Sequence, residues 1–196
     1  TWFGIEKEYS GLNIEDIKLA KKINIWGYNL FLQEELISFW EMIIAFFVFL
    51  FLSFKFLIKI PYLARNFVFD NKKRVNLWDI FQEGWIYSFF GSNLIGGLFY
   101  YHIFSNIMQT IQREATVIYP SELQCWENAL NIARKRNKNI TTVGIQHSSV
   151  PLLFLSYFNY PGDFIYRDEF NMFPLPDYLG TSGNIPSKLL IDSGWP

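Results

Sequence analysis

Residues 116–149 read TVIYPSELQCWENALNIARKRNKNITTVGIQHSS, and the fold is decided by how this stretch is parsed. Thr116-Val117-Ile118-Tyr119 is rich in β-branched and aromatic side chains and is bounded by Pro120, which predicts a strand. Trp126, Ala129, Leu130 and Ala133 then recur at helical spacing. Arg134, Lys135, Arg136 and Lys138 gather behind them, where cations suit the carbonyl end of a helix. Ser121 is a good N-cap residue, and Gln124 stands three residues on, as in a capping box. Asn137-Lys138-Asn139 makes a turn, and Ile140 to Ile145 is a second β run. Strand, helix and strand in this order predict a parallel crossover. Polar residues collect where each strand ends: Ser121, Glu122 and Gln124 after the first, and Gln146, His147, Ser148 and Ser149 after the second. Ligands of open α/β sheets sit at the carboxyl ends of the strands, so Glu122 and His147 are expected to face one crevice.

Downstream, residues 150–175 read as loop, Pro176 to Gly183 as a third short strand ending in a glycine turn, and Ser187 to Ser193 as a last helix capped by Gly194. Upstream, residues 77–113 read as helix. Leu77, Ile80, Phe81 and Trp85 share one face, and Phe104, Ile107, Met108 and Ile111 continue the period. Gly91, Gly96 and Gly97 are expected either to allow close packing or to break this run into two helices. His102, in apolar surroundings, is read as a structural histidine rather than a ligand.

Residues 37–60, ISFWEMIIAFFVFLFLSFKFLIKI, form the most hydrophobic part of the chain. Met42 to Phe54 is free of charge but reaches only about 20 Å as a helix, short of the ~30 Å hydrocarbon core. The full stretch reaches about 36 Å and takes in Glu41, Lys55 and Lys59 near its ends, where lysine can snorkel. Three readings stand: a helix that spans a membrane, one that lies in its interface, and one buried in a protein core. Glutamates precede the stretch and Lys55, Lys59, Arg65, Lys72, Lys73 and Arg74 follow it, so a spanning helix would have its C-terminal side in the cytoplasm. The polar and basic turn Asp70-Asn71-Lys72-Lys73-Arg74 is read as a solvated loop, or as a contact for anionic lipid head groups or a phosphate. Pro61 is expected to end or kink the helix. In residues 1–36, Asn13 is placed as the cap of a helix with Ile14, Ile17, Leu19, Ala20 and Ile23 on its face, and Leu30-Phe31-Leu32 as a further helical turn.

Bulk properties narrow the classes. The chain has 196 residues and a net charge of -1, which gives no global electrostatic case for nucleic acid. Aromatic residues make up 20% and charged residues 18%, which argues against disorder and for extensive burial or membrane contact. One cysteine, Cys125, excludes an intramolecular disulfide and a cysteine-based zinc cluster. Residues 37–60 are not read as a signal peptide, because no n-region start or small-residue cleavage site is visible. Without an initiator Met, and with a Gly-Trp-Pro ending, the chain is read as a piece of a longer protein.

Four ordered motifs, YPSELQCWENAL, GIQHSSVP, PLPDYLGTSG and LLIDSGWP, resemble a family of bacterial surface-carbohydrate biosynthesis proteins. These are glycosyltransferase-like proteins of GT-B type linked to O-antigen, lipopolysaccharide or capsule assembly. Tyr119, Glu122, Gln124, Trp126, Glu127, Ala129 and Leu130 carry the first motif, and Gly144, His147 and Ser148 the second. Pro176, Asp177, Gly183 and Gly194 carry the last two, and Trp85, Ser88 and Gly91 an upstream one. Ser182 stands where the family more often has Asn. The resemblance covers residues 77–196 and implies an α/β, partial Rossmann-like domain with parallel strands on the acceptor side of a cleft. Residues 1–76 would precede it as a helical hydrophobic region. The nucleotide-sugar domain would follow after residue 196. No Gly-rich phosphate loop, Walker loop or Asp-x-Asp pattern is present, and no cofactor or metal is expected.

The resemblance implies sugar transfer from a nucleotide donor to a surface-glycan or lipid-linked acceptor, at the inner face of the cytoplasmic membrane. Glu122 is the expected catalytic base, or a hydrogen-bonding carboxylate set at a helix N-terminus. His147 is the alternative base. Ser121, Gln124, Gln146, Ser148 and Ser149 are expected to bind substrate. The plainer readings are that Glu122 only caps its helix and His147 only bonds its turn. Trp126 and Glu127 are read as structural, and Cys125 as a small packed residue rather than a nucleophile. Two other classes stay open. One is a non-catalytic membrane-associated assembly component. The other is a Ser/His hydrolase, for which no Gly-x-Ser-x-Gly elbow exists.

Overall fold

The structure, a computed structural model, describes residues 2–4, 29–31, 36–68, 75–146, 174–193 and 195. The chain divides into two compact units, Thr1–Gly91 and Ser92–Pro196.

In the first unit, β1 (Trp2–Gly4) pairs in parallel with β2 (Asn29–Phe31), with Phe3 opposite Leu30. The helical turn expected at Leu30-Phe31-Leu32 is therefore strand at Leu30 and Phe31. Its partner lies far away in sequence, so a three-residue local pattern cannot report the pairing. The helix expected from Asn13 falls outside the described residues.

Helix α1 (Phe39–Asn66) opens on a capping box. The Glu41 N–H donates to Ser38 Oγ at 3.3 Å, and the Glu41 carboxylate accepts from the Ser38 N–H at 2.7 Å. Pro61 lies inside the helix and does not end it. The Leu57 carbonyl loses its i+4 donor there, but strong helix formers on both sides carry the helix a further turn. Asn66 Nδ2 donates to the Tyr62 carbonyl at 2.8 Å and the Phe67 N–H to the Leu63 carbonyl at 2.9 Å, which satisfies the last turn.

Helix α2 (Trp78–Phe90) returns along the C-terminal half of α1. Phe56 stacks on Phe89 with ring centroids 4.1 Å apart, while Phe67 meets Trp78 and Phe81 edge-on, so the two helices run antiparallel. Ser53 Oγ donates to the Phe89 carbonyl at 2.7 Å, an interhelical bond within an otherwise apolar seam. A single antiparallel bridge between Val68 and Asn76 closes the hairpin, and Asn76 Oδ1 accepts from the Trp78 N–H at 2.8 Å to start α2. Gly91 ends that helix. A Cβ there would collide with the Tyr87 carbonyl oxygen, so only glycine fits. This is the expected break. Gly96 and Gly97 lie in the next helix with nothing within 4 Å of a would-be Cβ, so they serve neither as a break nor in close packing among the described residues.

The second unit is α/β. It comprises α3 (Ser92–Thr110), β3 (Ala115–Pro120), α4 (Cys125–Arg134), β4 (Ile140–Ile145), β5 (Tyr178–Gly180) and α5 (Asn184–Asp192). The three strands form one parallel sheet in the order β3-β4-β5, with Ile118 opposite Val143 and Gly144 opposite Leu179. β4 buries Ile140, Thr142 and Gly144 on one face, in period-2 alternation. Met108 of α3, Tyr119, Leu130 and Ala133 of α4, and Ile140 form the core, with Phe104 and Trp126 packed on it. Asn137 Nδ2 donates to the Met108 and Ile111 carbonyls at 2.8 and 2.9 Å, which ties the β4 approach to the end of α3. Leu190 and Trp195 form a second cluster with Leu123, Leu175 and Leu179. Gly194 falls outside the described residues.

Candidate functional site at the carboxyl edge of the sheet

The ladder continues one residue past each strand. The Ser121 N–H donates to the Ile145 carbonyl at 2.9 Å, and the Gln146 N–H to the Gly180 carbonyl at 2.8 Å. Register therefore sets Ser121 beside Gln146, and Gln146 beside Thr181, along one edge. The turn after β3, the residue after β4 and the turn after β5 begin side by side.

The turn after β3 differs from its sequence reading. Ser121 is not the N-cap. Helix α4 starts at Cys125 with Gln124 as the cap residue. Leu123 adopts a positive φ of 62°, in the left-handed region. The Leu123 side chain packs on the Leu190–Trp195 cluster, and the helix begins three residues later than expected. Packing of one leucine supplies the reason for a conformation that costs roughly 1–2 kcal/mol.

The delay exchanges the roles of two carboxylates. Glu122 lies outside the helix, in the turn, and its side chain is exposed. Glu127, in the first turn of α4, is 5% exposed and organises everything before it. Its Oε1 accepts from the Glu122 N–H at 2.7 Å and the Gln124 N–H at 2.8 Å, and its Oε2 accepts from Ser121 Oγ at 3.1 Å. An acidic group at a helix N-terminus is favoured by the dipole and by the unpaired amides there. Glu127 thus fixes the turn that carries Glu122. Ser121 and Gln146 are buried, at 6% and 1% exposure, and the Ser121 hydroxyl is committed to Glu127. Glu122 and Gln124 are the polar side chains of this turn that reach solvent. His147, Ser148 and Ser149 fall outside the described residues.

Gly144 allows this arrangement. A Cβ on it would lie 3.2 Å from Ser121 Cβ and 3.3 Å from Leu179 Cδ1 and Pro176 Cγ. β5 is held by a second polar set. Asp177 Oδ2 accepts from the Thr142 N–H at 2.8 Å and from Thr142 Oγ1 at 3.0 Å, while Thr142 Oγ1 accepts from the Asp177 N–H at 3.1 Å. Asp177 Oδ1 pairs with Arg134 at 2.6 Å, and Arg134 Nε donates to the Ile140 carbonyl at 2.8 Å. Asn131, buried on α4, donates to the Tyr119 hydroxyl at 2.8 Å and to the Pro174 carbonyl at 2.9 Å. Burial pushes the Tyr119 phenol up to about 12. The Asn131 hydrogen bond acts against that rise, and the Glu127 and Asp177 charges add to it. Sequence reasoning missed Asn131 and Thr142 as supports. The available signal was a polar residue on an otherwise apolar helix face and another on a buried strand face.

A cavity of about 150 Å³ opens between β5 and α5, lined by Leu175, Leu179, Thr181, Ser187, Leu190 and Trp195 among others. It lies beside the carboxyl end of β5, and Asp177 is among its lining residues. Cys125, expected to be packed, is exposed at the first position of α4, where the helix faces solvent before its buried positions begin. No group of three or more His, Cys, Asp or Glu side chains that could hold a metal forms among the described residues. Among the described residues, the edge offers one exposed carboxylate able to accept a hydroxyl proton or hydrogen bond, one exposed amide, and a small cavity further along. No protein-family model, curated protein or solved structure matches the chain.

Proposed function

We propose that the second unit is the acceptor side of a GT-B-type glycosyltransferase, transferring a sugar from a nucleotide donor to a surface-glycan or lipid-linked acceptor. The observation that carries this reading is the position of Glu122. It stands exposed at the carboxyl end of a parallel strand, on a turn that Glu127, Leu123 and Gly144 hold in place. That is where α/β sheets bind ligands. A rigid turn under an exposed carboxylate is also what a general base requires. The motif residues support the reading in a second way: Gly144 makes room under the turn, Asp177 clamps β5, and Gly183 takes a φ of 125° at the start of α5. In this proposal Glu122 or His147 accepts the acceptor hydroxyl proton. Gln124 and the residues after β4 hold the acceptor, and a further domain supplies most of the donor site.

A non-catalytic assembly component is the second reading. The burial of Ser121 and Gln146 favours it, because it removes two of the expected substrate contacts from the edge. The two are separated by incubating the intact protein with a panel of nucleotide sugars and acceptor-bearing membranes, and following release of nucleoside diphosphate. Transfer by the wild type that Glu122→Gln and His147→Ala abolish supports catalysis. No transfer by the wild type supports the second reading, and full transfer by both variants removes Glu122 and His147 as the base.

A further inference from the structure

Helix α1 of the first unit leaves most of its surface uncovered. Only 17% of its apolar window is buried, so it is not the core helix of this fold, and it is the one helix among the described residues long and apolar enough to cross a membrane. Its buried positions, Ala45, Ser53 and Phe56, lie on one stripe, which faces α2 over its C-terminal half. Phe47, Phe51, Phe54 and Ile58, all more than 60% exposed, lie on the opposite side. At 100° per residue, the exposed apolar arc from Met42 round to Tyr62 covers about 200° of the helix circumference. A single docked helix or groove would cover a stripe of only ~100°. An arc twice that width needs an apolar medium rather than one partner surface.

The ends of the arc match a bilayer. Trp40 and Tyr62, at 71% and 64% exposure, mark its limits. They are 22 residues apart, about 33 Å along a helix, against a hydrocarbon core of ~30 Å. Aromatic residues of this amphipathic kind favour the interfaces. The charges agree with these limits. Glu41 folds its carboxylate back onto Ser38 at the N-terminal end. Lys59 lies over the Tyr62 ring at 5.9 Å, and Lys55 is one turn further in, within snorkelling reach of that end. Between Glu41 and Lys55 no residue is charged. The Ser53–Phe89 hydrogen bond satisfies a buried hydroxyl, as polar groups on membrane helices require.

We infer that α1 spans a lipid bilayer from Trp40 to Tyr62, with its basic C-terminal end on the cytoplasmic side. The inference is independent of sugar transfer; a soluble transferase or an inactive membrane protein would each settle one claim without the other. The single cysteine provides the test. The full chain is expressed in a bacterial host, and its membranes are washed with alkaline carbonate. Spheroplasts are treated with a membrane-impermeant maleimide before and after permeabilisation. Spanning predicts that the chain stays in the carbonate pellet and that Cys125 is modified only after permeabilisation. Ile37→Cys in a Cys125→Ser background is then modified in intact spheroplasts. Release by carbonate, as for an interfacial helix or one covered by a soluble partner, overturns the inference. Modification of Cys125 in intact spheroplasts overturns the orientation.

Discussion

Removing the Glu127 carboxylate should loosen the turn that carries Glu122, by an amount the geometry sets. Three donors depend on this one group: the Glu122 and Gln124 amides and the Ser121 hydroxyl, at 2.7, 2.8 and 3.1 Å. A buried donor left without an acceptor costs about 1–3 kcal/mol. The two amides are only part-buried, so water replaces some of the loss, and Glu127→Ala is expected to cost about 3 kcal/mol. Glu127→Gln keeps an oxygen for the amides and loses the charge assistance, which costs about 1.4 kcal/mol. Glu122→Gln changes an exposed side chain and should stay within about 0.5 kcal/mol. Amide hydrogen exchange on the detergent-solubilised full chain reads this locally. Exchange at the Glu122 and Gln124 amides and through the first turn of α4 should accelerate about 100-fold in Glu127→Ala and roughly tenfold in Glu127→Gln, with no change in Glu122→Gln. If Glu127→Ala leaves these amides within about twofold of the wild type, Glu127 does not organise the turn and the assignment of roles to the two carboxylates is wrong.

Three further outcomes follow from the same supports. The Tyr119 phenol is raised from 10.0 to about 12, so the folded state holds its proton more tightly than the unfolded one, and the associated stability is full below pH 10 and lost as pH rises towards 12. Allowing for partial solvation, about 2 kcal/mol should disappear across that window in urea titrations. Tyr119→Phe should remove this alkaline limb while costing about 1 kcal/mol at neutral pH, because Asn131 loses a partner. Asp177→Ala breaks the clamp on β5, leaving the Thr142 amide without its acceptor and Arg134 without its pair, and should lower the urea midpoint by the equivalent of about 3 kcal/mol. Gly144→Ala forces a methyl to 3.2–3.3 Å from Ser121, Leu179 and Pro176, an overpacking worth about 1–3 kcal/mol. It should also speed exchange at the Glu122 amide, because Ser121 must move.

The strands and helices of the second unit were largely legible because their signals are local. β-branched runs marked β3 and β4, and apolar spacing marked α4. The start of α4 was misplaced because Ser121 is the better capping type. The true signal, Gln124 followed by Glu127 at capping-box spacing, has glutamine in a position where serine or aspartate is favoured. The positive φ of Leu123 depends on the Leu190–Trp195 cluster, nearly 70 residues away in sequence, and no local pattern announces it. The pairing of β1 with β2 escaped for the same reason. Of the two outcomes expected at Pro61, an end to the helix does not occur, because one missing N–H does not outweigh the helix formers around it. Glu122 was singled out from its place after a strand, and that place is where it stands. Its companions Ser121 and Gln146 follow the alternation of a parallel sheet into the interior.

The most direct measurement is transfer itself, paired with folding. The intact protein, its Glu122→Gln and Glu122→Gln/His147→Ala variants and acceptor-bearing membranes are incubated with labelled nucleotide sugars, and label in the acceptor is counted while hydrogen exchange over α4 checks that the variants are folded. The proposal predicts transfer by the wild type and a loss of at least 100-fold in Glu122→Gln where Glu122 is the base, or in the Glu122→Gln/His147→Ala double variant where His147 is, with exchange unchanged. Undiminished transfer by a folded Glu122→Gln/His147→Ala double variant would contradict it.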